Sequence, residues 1–506
     1  MADLVPMMLS FPPETVVAPS EYDRQIRALI SNLSNIPGST FAKGAGAERD
    51  LLDVLNPAVN SIPYLYVLLA QIHSHGDRPK HLKHVADAVK PDSLLWARIA
   101  HFLEVFDPIQ IRYVGQEYRR LLDFVALVAS LCNSYLAGVI PIRSAMMRLD
   151  PMTGTFTSNH ITFLRLCMQG RLYSETLPIL DNEIHSFPAA PIPNIDGQFP
   201  CNDYLLSNGY ITTRSNISEK LTSLDVQEYY VLGANAYLGL RNYKRAIQFL
   251  EHVLVYPTQN VATGLMVEAY RKWLVLCCLV EGRSLPIPRT ANGAAVKSMR
   301  AVSKAYEGLV EAFASGSMPR LLSEMSAGEQ LWRDVSLYPA HMRPDLKASA
   351  NVIEKDGNAG LVQQLIPSLT LFTLRNLSKT YAALPFTKLA PMLNQSPVQA
   401  ESYIQTLIDA GQLAASISSP SPDPPAVLRF HGDTETRSEE ELYEELAKQT
   451  ERTNRVAEWV RQADLRLSLS KEYVEFMRRK KREGKEGSEP MDTTWPDQDE
   501  DMMADL

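Results

Sequence analysis

Residues 361–413 read LVQQLIPSLTLFTLRNLSKTYAALPFTKLAPMLNQSPVQAESYIQTLIDAGQL, and two short β-prone runs, AASIS (414–418) and AVLRF (426–430), follow them. The first helical stretch continues to Tyr381 with apolar residues at helical spacing. These residues are Leu361, Leu365, Leu369, Phe372 and Leu377. Two more helices are predicted before the β-prone runs. Three helices followed by a β-hairpin predict a winged helix over residues 361–431.

The second helix of this winged helix is predicted to be short. It follows Leu384 and Pro385, where the chain leaves the first helix because a residue that precedes proline disfavours helical backbone. The apolar positions of the second helix are Leu389, Met392 and Leu393. Thr387 is its predicted N-cap, since a threonine hydroxyl accepts hydrogen bonds from the first turn of a helix.

The third helix has the clearest start signal in the chain. Ser396 and Gln399 have the spacing of a capping box, in which each side chain bonds the other residue's backbone N–H. Pro397 occupies the first helical position, where its missing N–H costs nothing. Gly411 provides the stop, because glycine readily adopts the left-handed conformation that ends helices.

The charges of this segment argue against nucleic-acid binding. It contains four bases and three acids, and its third helix carries Glu401 and Asp409 without any base. Phosphate neutralisation supplies most nucleic-acid affinity, so this helix is a poor reader of DNA. The segment is therefore predicted to bind protein through its helices and its hairpin edge. The predicted docking residues are Glu401, Ile404, Ile417, Leu428 and Phe430.

The composition indicates a folded, soluble protein. The formal net charge is -8, but residues 484–506 hold eight acids and one lysine, so the rest of the chain is almost neutral. The five cysteines include no C-x-x-C pair, which favours buried thiols in a reducing compartment. No signal peptide is visible. The uncharged run from Phe124 to Ile142 is interpreted as one buried helix of a repeat rather than as a membrane span.

The fold class predicted from these patterns is predominantly all-α. A helical-repeat solenoid of the tetratricopeptide type precedes the winged helix, and a long C-terminal helix follows it. The clearest repeat lies at 226–257, where Leu232, Gly233, Tyr237 and Ala246 occupy the usual large and small positions. The predicted divisions are a disordered arm (1–20), N-terminal helical repeats (21–225), a tetratricopeptide-like half (226–360), a winged-helix half (361–431), a C-terminal helix (432–483) and an acidic disordered tail (484–506).

The predicted C-terminal helix, from Ser438 to about Arg482, has a heptad pattern. Ser438 and Glu441 form a second capping box, and the a and d positions follow alternating steps of four and three residues. About 40 residues would reach roughly 60 Å, so part of this seam is expected to lie on another helix. The predicted interface residues are Leu442, Leu446, Val456, Val460, Ala463, Leu467, Val474 and Met477. The run Arg478, Arg479, Lys480, Lys481 and Arg482 is either a nuclear localisation signal or the basic end of the helix.

Motifs for catalysis, cofactors or metals give no convincing match. His73 and His75 resemble the start of a zinc motif, but Lys83 and Ala86 occupy the positions where that motif needs Ser and Asp. The loop 44–46 lacks the lysine of a phosphate-binding loop and follows no strand. The chain is therefore predicted to be no enzyme and to hold no cofactor or metal.

In this order of helical repeats, winged helix and C-terminal helix, the chain resembles the PCI-domain family. The residues that carry the resemblance are LGLRNYKRAIQFLEHVLVYP from Leu238, MVEAYRKW from Met266, GLVQQLIPSL from Gly360 and SPVQAESYIQTLIDAGQLAASI from Ser396. They cover roughly residues 160–431. The family supplies subunits to the proteasome lid, the COP9 signalosome and the translation initiation factor three complex, and the chain is most similar to signalosome subunits.

The resemblance implies a non-catalytic scaffold. Such subunits associate through their winged helices and gather their C-terminal helices into a bundle, while a JAMM subunit of the signalosome deneddylates cullin-RING ubiquitin ligases. The implied partners are other PCI and MPN subunits, without a small-molecule substrate or a membrane, in the nucleus and cytoplasm. The alternatives are a proteasome-lid or initiation-factor subunit and, from another class, a nucleic-acid-binding winged-helix protein.

Overall fold

The structure is a computed structural model that describes residues 4–13, 17–42, 50–75, 85–190, 199–204, 206–258, 261–332, 357–393, 396–418, 426–431 and 439–486. Within these ranges the chain is helical apart from one small sheet, which confirms the predicted fold class. The chain divides into two compact units, Met1–Ala190 with Gly197–Glu435, and Pro191–Asp196 with Thr436–Leu506.

The helices of the N-terminal part pack against one another around a common hydrophobic core. They are α1 (Leu4–Leu9), α2 (Pro19–Ser34), α3 (Gly38–Ala42), α4 (Leu51–Val54), α5 (Ser61–Ser74), α6 (Leu94–Val105), α7 (Pro108–Ile111), α8 (Gly115–Leu131), α9 (Tyr135–Leu149), α10 (Ser158–Gly170) and α11 (Leu177–Leu180). Short 3-10 turns lie at Asp87–Val89, Ser174–Thr176 and Ser207–Gly209. Asp50, Ser93 and Asp107 cap α4, α6 and α7 through their side chains.

The prediction of a disordered arm at residues 1–20 is wrong for the described part of that segment. Helix α1 forms within it, and the side chains of Met8 and Phe11 are buried in the core of the helical repeats. The carbonyl oxygen of Phe11 accepts a hydrogen bond of 2.8 Å from Nδ2 of Asn60. Proline content and the lack of a sequence period do not show whether an apolar segment finds a groove in the rest of the fold.

The uncharged run 124–142 forms parts of two helices, so the prediction of a single helix there is wrong. Helix α8 ends at Leu131, and Asn133 adopts a left-handed φ of 53°, which allows α9 to turn back at Tyr135. Asparagine tolerates this conformation better than most residues, and no glycine or proline marks the turn. None of the described helices is long and apolar enough to cross a membrane.

The predicted repeat at 226–257 is confirmed as a helical hairpin. It consists of α12 (Ser223–Gly239) and α13 (Tyr243–Leu254). The two helices cross closely because Gly233 faces Phe249, and a Cβ atom added at Gly233 would lie 2.7 Å from that ring. Oδ1 of Asn242 accepts a hydrogen bond from the backbone N–H of Arg245 and starts α13.

Five more helices follow the hairpin in the described part of the chain before residue 333. They are α14 (Gly264–Glu281), α15 (Gly293–Val302), α16 (Lys304–Ala314), α17 (Met318–Ala327) and α18 (Glu329–Trp332). Helix α14 is buried along most of its length. It contacts α19 (Ala359–Gln363) and α20 (Leu365–Ser378), the two helices that occupy the place of the first helix predicted for the winged helix.

Two hydrophobic cores meet along α20. The first runs from Met8 to Leu369, and the second from Leu374 to Leu428. The change of core therefore falls inside α20, between Leu369 and Leu374, and not at the predicted division between residues 360 and 361. Side chains on successive turns of α20 contact two different sets of partners. The sequence pattern shows one continuous apolar helix and does not show where one core ends and the other begins.

The winged helix has the predicted second and third helices and one additional strand, but the first predicted helix is divided at Gln364 into α19 and α20 and ends at Ser378. After α20 come β1 (Ala383–Pro385), α21 (Phe386–Met392), α22 (Pro397–Asp409), β2 (Ala415–Ser418) and β3 (Val427–Phe430). The hairpin of β2 and β3 was predicted, but β1 was not, because three residues ending in proline give no alternating pattern. The antiparallel sheet has the order β1-β3-β2.

The helix caps predicted for the winged helix are present in the structure, with one exception. The capping box of Ser396 and Gln399 is present, with backbone-to-side-chain bonds of 3.3 and 3.4 Å. Gly411 has a left-handed φ of 67° directly after α22. Thr387 is not an N-cap, because α21 begins one residue earlier and Pro385 precedes it without a side-chain cap.

The C-terminal region contains two helices where one was predicted. Helix α23 (Glu439–Leu469) ends before Ser470, and α24 (Lys471–Glu486) follows. The Oγ atom of Ser470 accepts a hydrogen bond of 3.3 Å from the backbone N–H of Tyr473, as an N-cap does. Serine competes with the backbone for hydrogen bonds, and this interrupts the single helix that the heptad pattern predicted. Ser438 of the predicted capping box lies outside the described residues.

Candidate protein-interaction surfaces

The first candidate surface is the sheet of the winged helix. Strand β3 lies in the middle. Its residue Leu428 is opposite Leu384 of β1 on one side and opposite Ile417 of β2 on the other. Strand β2 therefore has a neighbour on one side only within the described residues. An edge strand of this kind offers backbone N–H and C=O groups to an added strand.

The hydrogen bonds of β3 show which groups face the open edge. The N–H of Phe430 donates to the carbonyl of Ala382, and the N–H of His431 donates to the carbonyl of Ala414. Even-numbered residues of β3 thus bond towards β1 and odd-numbered residues towards β2. It follows from the register that Ser416 and Ser418 face β3 with their backbone groups, while Ile417 turns its N–H and C=O to the open edge.

Two of the predicted docking residues are core residues, so their prediction is wrong. Ile404 and Leu428 are 0% exposed and pack with Ala400 and Leu407 in the second hydrophobic core. Ile404 lies on the face of α22 that covers the sheet, and Leu428 lies on the central strand. Their apolar character reflects this packing, which requires them to be inaccessible to a partner.

The other three predicted docking residues are partly accessible. Glu401, Ile417 and Phe430 are all half-buried. Ile417 and Phe430 come from different strands and pack against the edge of the second core. Burial also raises the pKa of the Tyr403 phenol on α22. These three residues therefore remain candidates for docking, two on the sheet and one on α22.

The prediction overlooked three exposed apolar residues of the same subdomain. Val398, near the start of α22, is 76% exposed, and Tyr381 and Met392 are also exposed. Val398 lies outside the stripe formed by Ala400, Ile404 and Leu407 at steps of four and three. That spacing could have separated the core positions from the surface positions in the sequence.

The charges on α22 remain as the sequence indicated. The helix spans Pro397–Asp409 and contains Glu401 and Asp409 but no lysine or arginine. Nε2 of Gln405 donates a 2.7 Å hydrogen bond to Oδ1 of Asp409. The helix that would enter a major groove therefore presents negative charge to it.

The second candidate surface is the heptad seam of α23. Leu442, Leu446, Val456, Val460 and Leu467 are between 42% and 61% exposed. Ala463 is also exposed. Ion pairs beside the seam, Arg455 with Glu451 at 2.9 Å and Arg461 with Glu458 at 3.2 Å, support the helix itself. An apolar row of this length on one helix is typical of a surface that packs against other helices.

The last two predicted seam residues lie on α24. Val474 is half-buried and Met477 is exposed, and both follow the break at Ser470. The seam is therefore continuous along α23 only. Desolvation lowers the pKa of the Arg466 guanidinium near the end of α23.

The basic run lies on the second half of α24. Arg478, Arg479 and Lys480 are exposed, while the side chains of Lys481 and Arg482 lie outside the description. The helix continues beyond the run to Glu486. This position is compatible with both interpretations, a nuclear localisation signal and the basic end of the helix.

Residues that could support catalysis or bind metal are separated or buried. His73 and His75 are exposed at the end of α5, where Nδ1 of His73 lies 2.7 Å from the carbonyl oxygen of Leu69. No three His, Cys, Asp or Glu side chains of the described ranges are grouped closely enough for a metal ion. Burial raises the pKa of the Cys277 and Cys278 thiols to about 12. The loop 44–46 lies outside the described ranges.

The one described histidine that is fully enclosed within the repeats has a structural position. Nδ1 of His160 accepts a 3.1 Å hydrogen bond from the backbone N–H of Thr157, and its Nε2–H faces the carbonyl oxygen of Thr153 at 3.2 Å. Burial lowers the pKa of His160, so the ring is neutral at physiological pH. Its two nitrogens thus hold the start of α10.

Two family profiles match the chain. The profile described as COP9 signalosome complex subunit 3, N-terminal helical repeats, matches residues 23–294, and the PCI domain profile matches residues 341–421. The first covers more than half of the 506 residues. The resemblance to the PCI-domain family that the sequence suggested is therefore confirmed.

Two fungal relatives match almost the whole chain. COP9 signalosome complex subunit 3 of Emericella nidulans is 30% identical over 497 residues, which are 96% of this chain and 95% of the relative. The protein of the same name from Neurospora crassa is 23% identical over 478 residues, 92% of this chain and 90% of the relative. The chain belongs to the family of COP9 signalosome complex subunit 3.

Proposed function

We propose that this chain is a non-catalytic scaffold subunit of the COP9 signalosome, the assembly that deneddylates cullin-RING ubiquitin ligases. The names of its relatives support membership of the complex. The observation that carries the scaffold role is the exposed apolar seam of α23. An exposed row of apolar side chains of this kind typically marks a surface that a partner protein covers.

Burial of the seam supplies a driving force for assembly. Complete burial of a half-exposed Leu or Val contributes about 1 kcal/mol. The five large apolar residues of the α23 seam, Leu442, Leu446, Val456, Val460 and Leu467, therefore provide several kcal/mol before the entropy of association is subtracted. Helix α23 is the proposed attachment to the other subunits.

The charges beside the seam favour a different chain over a second copy as the partner. In a parallel pair of identical α23 helices in register, Trp459 of one copy would lie beside Asp464 of the other. The equivalent neighbour of Arg452 would be Ala457, which is uncharged. No opposite charges are paired, so self-association gains nothing from these positions.

The winged helix is the proposed second attachment. Its open β2 edge, at Ile417, is suited to the addition of a strand from a neighbouring PCI subunit. Phe430 of the central strand lies opposite Ala415 of β2, and Glu401 of α22 is half-buried. The proposed partners are other PCI and MPN subunits, and the proposed localisation is nuclear and cytoplasmic, which a fluorescent fusion of the full chain would test.

The decisive experiment places charges on the seam. We expect the double variant Val460→Glu and Leu467→Glu to lose co-purification with the other subunits, because two carboxylates would be desolvated at the helix contact. Circular dichroism should show largely unchanged helical content, since both side chains are exposed in the chain alone.

The matched control is Asn454→Glu with Ser468→Glu. These positions add the same charge to α23 at exposed sites outside the seam, so the complex should remain intact. The scaffold proposal fails if the seam variant still co-purifies, or if the control releases the chain equally well.

A further inference from the structure

Helix α24 combines a high positive charge with unusual regularity. It contains seven bases and four acids, a net of +3. Positions 471, 478, 482 and 485 are separated by seven, four and three residues, so they lie on one side of the helix. All four are lysine or arginine. We call this row the basic face of α24. Arg479 and Lys481 flank it, and Lys480 lies on the opposite side of the helix.

The described basic side chains at positions 478–480 lack acidic partners. Arg478, Arg479 and Lys480 are exposed and make no ion pair or hydrogen bond within the described residues. Lys471 lies 3.9 Å from Glu475, at the far end of the helix. Like charges at such spacing repel one another, so the face gains free energy from any anion that neutralises it.

The sequence that follows α24 has the complementary charge. Residues 487–506 lie outside the described residues, and their sequence contains seven acids and no base. Four of these acids lie between Asp497 and Asp501. Pro490 and Pro496 both precede this cluster, and proline disfavours continuation of the helix towards it.

The distance between the two charge clusters suits a contact within one chain. Ten residues, 487–496, separate the end of α24 from Asp497, and a chain of that length reaches at most about 35 Å when fully extended. Arg478 is eight residues before the end of the helix, or about 12 Å along its axis. A linker matched to its span gives an effective concentration in the millimolar range, on the order of 1 mM.

We propose that the acidic cluster 497–501 docks on the basic face of α24 in the same chain. At an effective concentration on the order of 1 mM, even a weak contact is substantially occupied. The contact shields the basic face from other anions, and salt weakens it because the charges are exposed. The proposal is independent of the proposed scaffold role, which rests on α23.

Zero-length carbodiimide cross-linking of the full chain, followed by mass spectrometry, tests this contact. The reagent joins a carboxylate to a lysine amine only when they touch. We expect the acids of 497–501 to join Lys481 and Lys485 in preference to Lys480, on the opposite side of α24, and to Lys448 of α23. These links should lie within single chains in a mixture of isotopically light and heavy protein, and 1 M salt should reduce them severalfold.

A charge-reversal variant separates docking from chance collision. Arg478→Glu with Arg479→Glu keeps both acceptor lysines, Lys481 and Lys485, and should cause a severalfold loss of the links. The control Arg455→Glu with Arg461→Glu changes the net charge equally on α23 and should leave them unchanged. Links spread evenly over all lysines, links between chains only, or links insensitive to Arg478 and Arg479 would each overturn the proposal.

Discussion

At the residue scale, Asp123 is an ionisable side chain whose burial within the repeats costs stability when its carboxylate is charged. It lies on α8, directly before the uncharged run, and burial raises its pKa to about 6. Arg119 lowers this pKa and Glu219 raises it, but both act less strongly than burial. An acid whose pKa is raised on folding binds protons more tightly in the folded state, so its contribution to stability is lost as the pH rises through about 6.

We expect Asp123→Asn to stabilise the chain at pH 7.5 by about 1–2 kcal/mol, because the amide avoids burying a carboxylate. At pH 3, below the ordinary pKa of an aspartate, Asp123 is protonated in both the folded and the unfolded state, so the two proteins should differ little. Thermal unfolding at both pH values measures this. Glu104→Gln, an equal charge change at an exposed position of α6, should have little effect at either pH. Destabilisation by Asp123→Asn at pH 7.5 would contradict this account.

At the same scale, the sequence predicts well which residues cap or end a helix. It predicts poorly whether an apolar residue faces the core or the surface. Ser396, Gln399 and Gly411 were predicted because each acts through its own backbone neighbours. Ile404 and Leu428 were misassigned to docking because an apolar residue suits a core and an interface equally well. Only the tertiary packing distinguishes the two.

At the scale of the element, α22 is the helix whose start the sequence specifies best. The capping box satisfies two backbone N–H groups, and Pro397 removes a third. The remaining helices of the winged helix begin without side-chain caps. The start of α22 therefore depends on local chemistry more than theirs.

Ser396→Ala should weaken the first turn of α22 by about 1 kcal/mol, because the N–H of Gln399 loses its acceptor. Hydrogen exchange of the full chain should accelerate at the backbone amides of 399–401 and change little in α20. Ser402→Ala, on the exposed side of the same helix, should leave exchange unchanged or slow it slightly. Equal protection in both variants would show that packing alone fixes the helix start.

Breaks between elements were harder to predict than their starts. The turn at Asn133 and the break at Ser470 both occur at residues that are common inside predicted helices. Strand β1 exists because β3 provides its partner more than forty residues later. Such features depend on contacts that are distant in sequence, and local patterns do not contain them.

At the scale of the whole molecule, the N-terminal segment is part of the same core as the repeats. Met8 is 0% exposed, while its neighbour Leu9 is 46% exposed. The first core therefore extends from Met8 to Leu369. The order of repeats, winged helix and C-terminal helices was predictable because it rests on long periodic stretches, whereas the attachment of residues 4–13 was not.

Met8→Ala is expected to destabilise the chain by about 2–4 kcal/mol, since it leaves a cavity in a filled core. Leu9→Ala removes a similar volume from the surface and should have little effect. The melting temperature of each full-length variant provides the comparison. Equal melting temperatures for the two variants would mean that the segment around Met8 adds nothing to the core.

The sharing of α20 between two cores also bears on the timing of synthesis. Val362, Leu365 and Leu369 complete the first core, yet the ribosome makes them 30 or more residues after α18 has ended at Trp332. At about 5–20 residues per second, that delay lasts roughly 2–7 s. During this interval the face of α14 that α19 and α20 later cover is open to chaperones, so nascent chains stalled before residue 362 should be their main clients.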